Sequence, residues 1–415
     1  MKTAILTVGT EILFGQIVNT NAAFLSQQLN NLGYDVMYHY TVGDNPGRLA
    51  ELIHLAFRDC DLILTTGGLG PTQDDLTKET IAKAMGDVVV ENPACMKYLK
   101  ENYERAGRKM TPNNLKQAYM PSRATVLPND AGTAPGFALE QDGKIIIAMP
   151  GPPREMQRMF ELQVKPLLQK KQDSVIYYRM LRMFGIGESS LETVLLPLID
   201  GQTDPTLATY AKEGECSLRI ASKRATEEEA RAAVDEMTEK VRSLVGDYIY
   251  SYDDEDLIDV VGRLLLEKKI TIACAESCTG GLFAGALTDT PGISEVFGYG
   301  YVTYSCEAKE TELGVKPETI ETYGVVSPQV AEEMAAGLAA KTGAKLCISV
   351  TGLAGPDGGS AEKPVGLAYI GVSYEGRLYA VKSYYRNVSR KWNRHYTLLR
   401  MLFEVYRLIS PEKPA

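Results

Sequence analysis

The sequence predicts an α/β protein of three regions, residues 1–170, 171–252 and 253–415. In the first and third regions, β-branched apolar runs alternate with stretches of helical periodicity, which is typical of βα units around a largely parallel sheet. The middle region instead combines strands with one long amphipathic helix, the pattern of a small α+β module. A chain of 415 residues also exceeds one ordinary hydrophobic core, so we expect several domains.

The first region begins with a strand and continues in alternation. Its predicted strands cover residues 2–8, 35–42, 61–66 and 144–149, and its predicted helices cover 21–32, 48–58 and 77–85, with a further helix from residue 154. Helices between parallel strands cover both faces of the sheet. The pattern therefore predicts an α/β sandwich.

The other two regions are divided by an acidic, polar segment, residues 251–256, which we interpret as a linker. The predicted middle elements are strands 175–184, 207–210 and 217–222 and helices 188–196 and 226–245, the last with Thr226 and Glu229 as a capping pair. The predicted third-region elements are helices 257–267, 328–342 and 388–408 and strands 270–275, 299–304, 345–351, 366–374 and 377–385. We expect the tail from Ser410 to Ala415 to be frayed.

Composition limits the classes of function. The formal net charge of −9 argues against a broad nucleic-acid surface, which needs a basic excess. No apolar run approaches the length that spans a membrane, and the first residues are typical of a strand rather than of a secretory signal. The seven cysteines are scattered and odd in number. We therefore expect a protein of the reducing cytoplasm.

A glycine-rich segment follows the strand over residues 61–66. The glycines Gly67, Gly68 and Gly70 with Thr72 let backbone amides approach an anion, and the next helix start adds N–H donors. Asp74 and Asp75 lie where a phosphate-bound divalent cation could be held. The structural alternative is a glycine turn with aspartate caps.

This segment resembles the signature of molybdopterin-binding-like domains, and residues 9–13, 42–45, 132–136 and 150–155 resemble the CinA family of competence/damage-inducible proteins in particular. The resemblance implies a molybdopterin-binding-like fold, and some family members hydrolyse ADP-ribose with a divalent metal. By resemblance, Gly67, Gly68, Gly70 and Thr72 would contact phosphate. Asp44, Asp74 and Asp75 would hold Mg²⁺, Mn²⁺ or Co²⁺, and Glu11 is a candidate to orient water. A domain that binds a nucleotide without catalysis remains the alternative.

The third region contains a strand followed by Ala275-Glu276-Ser277-Cys278-Thr279-Gly280-Gly281 and a helix. A turn of this kind exposes Ser277 at the carboxyl edge of a sheet beside backbone amides, as a hydroxyl nucleophile requires. Ser277 and Thr279 could equally be helix caps. Cys278 is a rival nucleophile, because a helix N-terminus would lower the pKa of its thiol.

Residues 275–281, 304–309 and 351–359 occur in the order found in the CinA carboxy-terminal domain, the nicotinamide mononucleotide (NMN) deamidase. The resemblance implies hydrolysis of the NMN carboxamide without a cofactor. It makes Ser277 the nucleophile and places Arg390 on phosphate or on the carboxamide. The family often carries Asn where this chain has Cys306, so substrate affinity could differ.

A serine nucleophile needs a base, and His39, His54 and His395 are the only histidines. A neutral, buried Lys309 is the economical choice, with Tyr304 as a relay or as the base itself. The remaining predicted binding residues fall into two groups. Amides at Thr279, Gly280 and Gly281 would hold the oxyanion or the phosphate, whereas Thr351, Gly352, Ala354 and Gly355 would line the nucleotide. For Arg386, Arg390 and Arg394, a spacing of four also fits one solvated helix face.

The middle region resembles the KH-like module of the family, but Gly185-Ile186-Gly187 lacks the Gly-x-x-Gly spacing of an RNA clamp. We therefore expect a spacer or a dimer element, and the resemblance implies a homodimer.

The leading hypothesis is an enzyme of pyridine-nucleotide salvage, with NMN deamidation in the third region and ADP-ribose pyrophosphate cleavage in the first. The alternatives are a nucleotide-binding adaptor linked to competence or DNA damage and, less favoured, a binder of a molybdopterin precursor.

Overall fold

A computed structural model of the chain describes residues 1–105, 107, 109–171, 174–212, 214–385 and 389–410. It divides into two compact units, Met1–Tyr177 with Lys223–Arg231, and Tyr178–Ser222 with Ala232–Ala415. Strands and helices are mixed in both, which confirms the predicted α/β class.

The first unit follows the predicted alternation. Its strands are β1 (Lys2–Val8), β2 (Asp35–Val42), β3 (Leu62–Thr66), β4 (Val89–Glu91), β5 (Tyr119–Pro121), β6 (Thr125–Leu127), β7 (Gly136–Gln141) and β8 (Lys144–Met149). Its helices are α1 (Thr10–Leu13), α2 (Thr20–Asn31), α3 (Pro46–Asp59), α4 (Thr77–Ala84), α5 (Pro93–Arg105), α6 (Pro153–Met159) and α7 (Lys165–Gln169), with a π-helical turn, Phe160–Val164, before α7 and a 3₁₀ helix at Pro112–Ala118.

The main sheet of this unit has six strands in the order β2-β1-β3-β8-β7-β6. The strands β2, β1, β3 and β8 are parallel, as predicted, whereas β7 and β6 add an antiparallel hairpin. In the sheet, β2 lies on one side of β1 and β3 lies on the other side of β1. The chain therefore reverses the direction in which it adds strands after β2. The carboxyl ends of β1 and β3 therefore form a topological switch point, the place where open α/β sheets bind ligands.

The middle of the chain forms the expected small α+β module. It contains β9 (Val175–Phe184), α8 (Glu188–Ile199), β10 (Thr206–Lys212), β11 (Glu215–Arg224), α9 (Glu227–Val245) and β12 (Ile249–Ser251), with strand order β10-β11-β9-β12. The Thr226 hydroxyl oxygen accepts from the Glu229 amide at 3.3 Å, so this cap is confirmed. In the acidic segment after β12, Asp254 pairs with Arg182 at 2.6 Å.

The carboxy-terminal elements surround a second five-stranded sheet. Its strands are β13 (Ile272–Glu276), β14 (Phe297–Val302), β15 (Leu346–Gly352), β16 (Leu367–Tyr374) and β17 (Arg377–Tyr384). The helices are α10 (Leu257–Lys268), α11 (Leu282–Thr288), α12 (Cys306–Leu313), α13 (Pro317–Tyr323), α14 (Pro328–Thr342) and α15 (Arg390–Ile409). The predicted start of the last helix, at Val388, and residues 411–415 of the predicted frayed tail lie outside the described residues.

This sheet has the order β14-β13-β15-β16-β17, with the first three strands parallel and the last two antiparallel. Strand β13 is buried on both faces, because Ile272 and Cys274 pack in one core cluster and Ala273 and Ala275 in another. Because β14, β13 and β15 are parallel, their carboxyl ends meet at one edge of the sheet. The predicted site segments follow these strands at that edge.

Across the residues that the structure describes, no helix is both long enough and apolar enough to span a membrane.

Candidate functional site

Ser277 lies in a tight turn directly after β13. Its amide donates to the Val350 carbonyl at 3.1 Å, so the serine is still anchored to the neighbouring strand. The Gly280 amide then donates to the Ser277 carbonyl at 3.1 Å and closes the turn. Gly280 and Gly281 have φ angles of 60° and 93°, a region that L side chains rarely adopt. The two glycines therefore make the sharp exit from the strand possible.

The side chain before the serine, Glu276, is fully buried and caps α11. Its carboxylate accepts hydrogen bonds from the amides of Gly281, Phe283 and Ala284 at 3.0, 3.1 and 2.9 Å. A carboxylate that accepts several amides at a helix N-terminus is stabilised by charge-assisted hydrogen bonds and by the helix dipole. Glu276 was not among the predicted site residues, although a glutamate at the end of an apolar strand was a usable signal.

Two of the three amides that were predicted to hold an oxyanion or a phosphate are consequently already hydrogen-bonded. The Gly281 amide is bound by Glu276, and the Gly280 amide is bound within the turn. This corrects the prediction for both glycines. Within the described parts of the chain, neither the Cys278 amide nor the Thr279 amide donates a hydrogen bond to another residue. These two N–H groups remain the candidate donors next to Ser277.

Lys309 is the side chain that contacts the serine. It is fully buried, and its Nζ lies 3.1 Å from the Ser277 Oγ. The same nitrogen donates to the carbonyl oxygens of Thr303 at 2.8 Å and Tyr304 at 3.2 Å. Burial lowers the pKa of the Lys309 ammonium below its ordinary value, because the charged form loses its hydration. Among the described residues, no carboxylate pairs with it.

Tyr304 has an exposed side chain whose phenol is held by Arg390. Arg390 Nη2 donates to the Tyr304 hydroxyl at 2.7 Å, and Nη1 donates to the Gly355 carbonyl at 2.7 Å. Arg390 thus joins the segment after β14 to the loop after β15. No hydrogen bond between Tyr304 and Ser277 occurs in the described part of the chain.

Arg394, one turn further along α15, contacts the serine turn itself. Its Nε donates to the Cys278 carbonyl at 3.1 Å and its Nη2 to the Thr279 carbonyl at 2.6 Å. Both arginines therefore bind site loops rather than forming only a solvated helix face, whereas Arg386 lies outside the described residues. The spacing of four was the signal that could have added Arg394 to the predicted site.

Cys278 has a thiol that is almost entirely buried, at 7% exposure. Burial raises the pKa of this thiol to about 11, so the thiolate is scarce at neutral pH. The expected lowering of the pKa by the helix N-terminus is therefore wrong. The reason is that Glu276 occupies that terminus and the thiol lies away from solvent.

Eight of the predicted residues line one pocket of about 330 Å³: Ser277, Tyr304, Lys309, Thr351, Gly352, Ala354, Gly355 and Arg390. Thr279, Gly280 and Gly281 lie outside its wall. Asp357, which the sequence analysis did not single out, and Cys306 also line this pocket. A volume of this size falls within the range of small-molecule sites.

The glycine-rich loop of the first unit is shaped by close backbone approach. A side chain at Gly67 would collide with the Val8 carbonyl, and one at Gly68 would collide with the Thr77 hydroxyl. The Asp75 carboxylate accepts from the Thr72 amide at 2.9 Å and from the Thr72 hydroxyl. Gly70 leaves room for that carboxylate. The loop is therefore built around its own aspartate.

The predicted metal ligands are engaged locally. Asp44 accepts from the amide and hydroxyl of Thr10 at 3.1 and 2.7 Å. Asp74 is exposed, and a hydrogen bond from Thr72 lowers the pKa of its carboxyl. No group of three His, Cys, Asp or Glu side chains suited to a metal occurs among the described residues. Asp44, Asp74 and Asp75 in this arrangement do not fit a preformed divalent-metal site.

A small pocket of about 60 Å³ lies at the switch point between β1 and β3. Glu11 and Thr66 line it together with Asn21, whose Nδ2 donates to the Thr66 hydroxyl at 3.0 Å and to the Gly151 carbonyl at 2.7 Å. The wall of this pocket combines polar and apolar side chains, and the pocket adjoins the glycine-rich loop because Thr66 directly precedes Gly67.

Three family descriptions match the chain in succession. Residues 4–170 match the "Probable molybdopterin binding domain", residues 178–251 the "Damage-inducible protein CinA KH domain" and residues 254–409 the "CinA C-terminal domain".

Relatives match over nearly the whole length. A competence-damage inducible protein of Clostridium kluyveri is 49% identical over 91% of this chain and 92% of its own. Its counterpart in Acetivibrio thermocellus is 49% identical over 90% of this chain and 91% of its own. The counterpart in Clostridium botulinum is 46% identical over 97% of this chain and 98% of its own. These names state no reaction.

Proposed function

The chain belongs to the CinA family of competence-damage inducible proteins, and we propose that its carboxy-terminal domain is an amidohydrolase that converts NMN and water to nicotinate mononucleotide and ammonia. The observation that carries the proposal is the hydrogen bond between Ser277 Oγ and the buried Nζ of Lys309. A hydroxyl becomes an effective nucleophile only when a neighbour accepts its proton, and a lysine with a lowered pKa meets that need.

In the proposed reaction, Ser277 Oγ attacks the carboxamide carbon while its proton passes to the neutral Lys309 amine. The resulting oxyanion is stabilised by the free amides beside Ser277. Lys309 then returns the proton to the amide nitrogen, the C–N bond breaks and ammonia leaves. Water, deprotonated by Lys309, attacks the acyl ester and releases nicotinate mononucleotide together with free Ser277.

The charges around the pocket support a nucleotide substrate. Lys309, Arg390 and Arg394 bind carbonyl or hydroxyl oxygens, and none forms an ion pair with a carboxylate among the described residues. Arg390 lines the pocket and is the candidate ligand of the substrate phosphate. The Arg390 guanidinium has no carboxylate partner among the described residues and favours an anionic group of the substrate, while Asp357 adds one negative charge to the same pocket.

For the first unit we propose cleavage of the pyrophosphate of ADP-ribose or a related nucleotide, with a divalent metal supplied with the substrate. Support comes from the match to a molybdopterin-binding domain and from a small pocket at the switch point, lined in part by Glu11, Asn21 and Thr66. The carboxylates Asp44, Asp74 and Asp75 do not form a metal cluster in this arrangement, so no catalytic step is assigned to them.

The relatives' name favours one second candidate, a nucleotide-binding adaptor in competence or DNA damage. One experiment separates the two. The protein is incubated with NMN and with ADP-ribose, with Mg²⁺, Mn²⁺, Co²⁺ or a chelator, and the products and ammonia are quantified.

The deamidase proposal expects ammonia and nicotinate mononucleotide in equal amounts with or without metal, lost in Ser277→Ala. The exposed Ser243→Ala on α9 serves as the matched control and should retain the activity. Tight binding of NMN without any product would reject the deamidase and favour the adaptor.

A further inference from the structure

The guanidinium of Arg394 holds both central carbonyls of the serine turn. We propose that Arg394 is a positioning residue that fixes the turn Ser277–Gly280, here named the nucleophile turn, so that the Cys278 amide faces the oxyanion of the tetrahedral intermediate. The proposal rests on the proposed function for its substrate. It assigns a role to a side chain that lies behind the pocket wall rather than in it.

The orientation of the Cys278 amide follows from the geometry of the turn. A trans peptide points its N–H and its C=O in opposite directions. The Ser277 carbonyl is directed at the Gly280 amide, 3.1 Å away, inside the turn. The Cys278 N–H of the same peptide plane therefore points away from the turn interior. Cys278 also lines the pocket, whereas Thr279 does not, so this N–H is the candidate donor to an oxyanion formed at Ser277.

Arg394 fixes the next two peptide planes. Its Nε binds the Cys278 carbonyl at 3.1 Å and its Nη2 the Thr279 carbonyl at 2.6 Å. Two donors from one planar, rigid group constrain both the position and the rotation of the turn, which a single contact would not do. The Thr279 N–H, opposite the Cys278 carbonyl, accordingly points away from Arg394.

The nucleophile turn has one further anchor, on its other side. The Glu276 carboxylate holds the Gly281 amide at 3.0 Å, immediately after the turn. Glu276 thus binds an amide at the end of the nucleophile turn, and Arg394 binds two carbonyls within it. Among the described residues, Arg394 has no carboxylate partner, and its guanidinium binds these carbonyls instead.

Arg390 provides an internal comparison on the same helix. It lines the pocket, whereas Arg394 does not. Loss of Arg390 should therefore weaken substrate binding, and loss of Arg394 should slow the chemical step while leaving binding intact. Preorganised amide donors act mainly in the transition state, so their disorder lowers kcat rather than affinity.

The test measures kcat, KM and the NMN dissociation constant for the full-length wild type, Arg394→Met, Arg394→Lys and Arg390→Met. We expect Arg394→Met to lower kcat by about 10²-fold with KM within about threefold, as for loss of one oxyanion donor. The lysine of Arg394→Lys can reach only one of the two carbonyls, so the kcat of this variant should lie between the values of the wild type and Arg394→Met. Added guanidinium should partly restore Arg394→Ala. A wild-type kcat in Arg394→Met, or a loss confined to KM, overturns the proposal.

A second readout is independent of the natural substrate. The oxygen of an activated serine attacks the phosphorus of a fluorophosphonate, the P–F bond breaks, fluoride leaves and the hydroxyl proton passes to the base. In the tetrahedral adduct the phosphoryl oxygen takes the place of the oxyanion. Labelling should depend on Ser277 and be slower in Arg394→Met than in Arg390→Met. If the wild type releases no ammonia from NMN, the proposed function fails, while slow labelling of Arg394→Met still supports the positioning role. Equal labelling of both variants, or no Ser277-dependent labelling of the wild type, overturns it. If Arg394→Met does not fold, Arg394→Lys decides by the same measurements.

Discussion

The Nζ of Lys309 lies 3.1 Å from the Oγ of Ser277, at the end of a side chain that solvent does not reach. A neutral lysine amine has two N–H groups and one lone pair. Three carbonyls surround this nitrogen, those of Thr303, Tyr304 and Ser305 at 2.8, 3.2 and 3.4 Å, and the two nearer ones can accept the two N–H groups, which leaves the lone pair for the Ser277 hydroxyl proton. This geometry favours Lys309 over Tyr304 as the base.

The rate of deamidation should rise with pH. Burial holds the pKa of Lys309 below its ordinary 10.5, and only the neutral amine can accept the serine proton. We expect kcat/KM to increase through the lowered pKa and then level off. Lys309→Met should lose at least about 10³-fold in kcat, as expected for a group that acts as a unit with the nucleophile. Ammonia release across a pH series measures both the pH dependence of kcat/KM in the wild type and the kcat of Lys309→Met. A flat profile in the wild type would contradict the role of Lys309.

Stability should follow the same titration. Between the lowered folded pKa and 10.5 the unfolded chain binds more protons at Lys309, so the free energy of unfolding rises with pH there. Below that window the full cost of a buried cation is present. Lys309→Met should therefore gain stability relative to the wild type at low pH, and the difference should shrink as pH rises. Denaturant unfolding at several pH values measures this, and a pH-independent difference would argue against the buried charge.

Cys278 should be dispensable for catalysis. Its pKa of about 11 leaves about one thiolate in a thousand at pH 8. We expect Cys278→Ala to keep kcat within about threefold, the range usual for a small buried substitution near a site. Iodoacetamide followed by peptide mass spectrometry should label the exposed Cys306 much faster than Cys278. If Cys278→Ala were inactive while Ser277→Ala remained active, Cys278 rather than Ser277 would be the nucleophile.

Glu276 should stabilise the carboxy-terminal domain. Replacing its carboxylate by an amide turns one acceptor into a donor that faces backbone N–H groups. Glu276→Gln should lower the free energy of unfolding by about 2 kcal/mol, the magnitude for hydrogen bonds to a buried charged group. Glu321→Gln, on an exposed position of α13, is the control and should change it by less than about 0.5 kcal/mol. Equal effects of the two variants in denaturant unfolding would count against the cap.

Gly67 should be essential for the glycine-rich loop. Its φ of 104° and the collision of a side chain with the Val8 carbonyl both oppose alanine. Gly143 has a φ of 76° and no atom within 4 Å of the place that an alanine Cβ would take, so Gly143→Ala should cost only the backbone term of about 1 kcal/mol. Gly67→Ala should cost clearly more in thermal or denaturant unfolding. Similar costs would show that the loop can shift away from Val8.

Elements with strong periodicity were predictable to within one or two residues. The strands Lys2–Val8 and Val175–Phe184 have the predicted bounds. The three-residue strands β4, β5 and β6 were missed because so short a segment has no measurable period. Strand β13 was predicted over 270–275 but covers Ile272–Glu276, because Glu276 still pairs with Val302 and Val350 on the neighbouring strands.

The candidate site was predictable where it depends on side chains and less so where it depends on the backbone. Ser277 was predicted as the nucleophile by resemblance and Lys309 as its base from the lack of a suitable histidine, and the structure brings the two side chains together. The parts played by Glu276 and Arg394 depend on where amides and carbonyls point, which residue types do not encode. The raised pKa of Cys278 depends on burial, which the sequence position does not reveal.

The pocket loop after β15 begins and ends within one antiparallel pair, because Gly352 is paired with Ala368 in the register of β15 and β16. Near its ends the loop is tied down, because Leu353 is hydrogen-bonded to Leu367 and Gly366, and the Gly355 carbonyl accepts from Arg390. The freedom to vary is therefore confined to the exposed stretch that contains Asp357, which lines the pocket and lies outside the strand ladder. Exchanges at Asp357 are consequently a route by which directed evolution can change the preference for an amide substrate without disturbing the sheet.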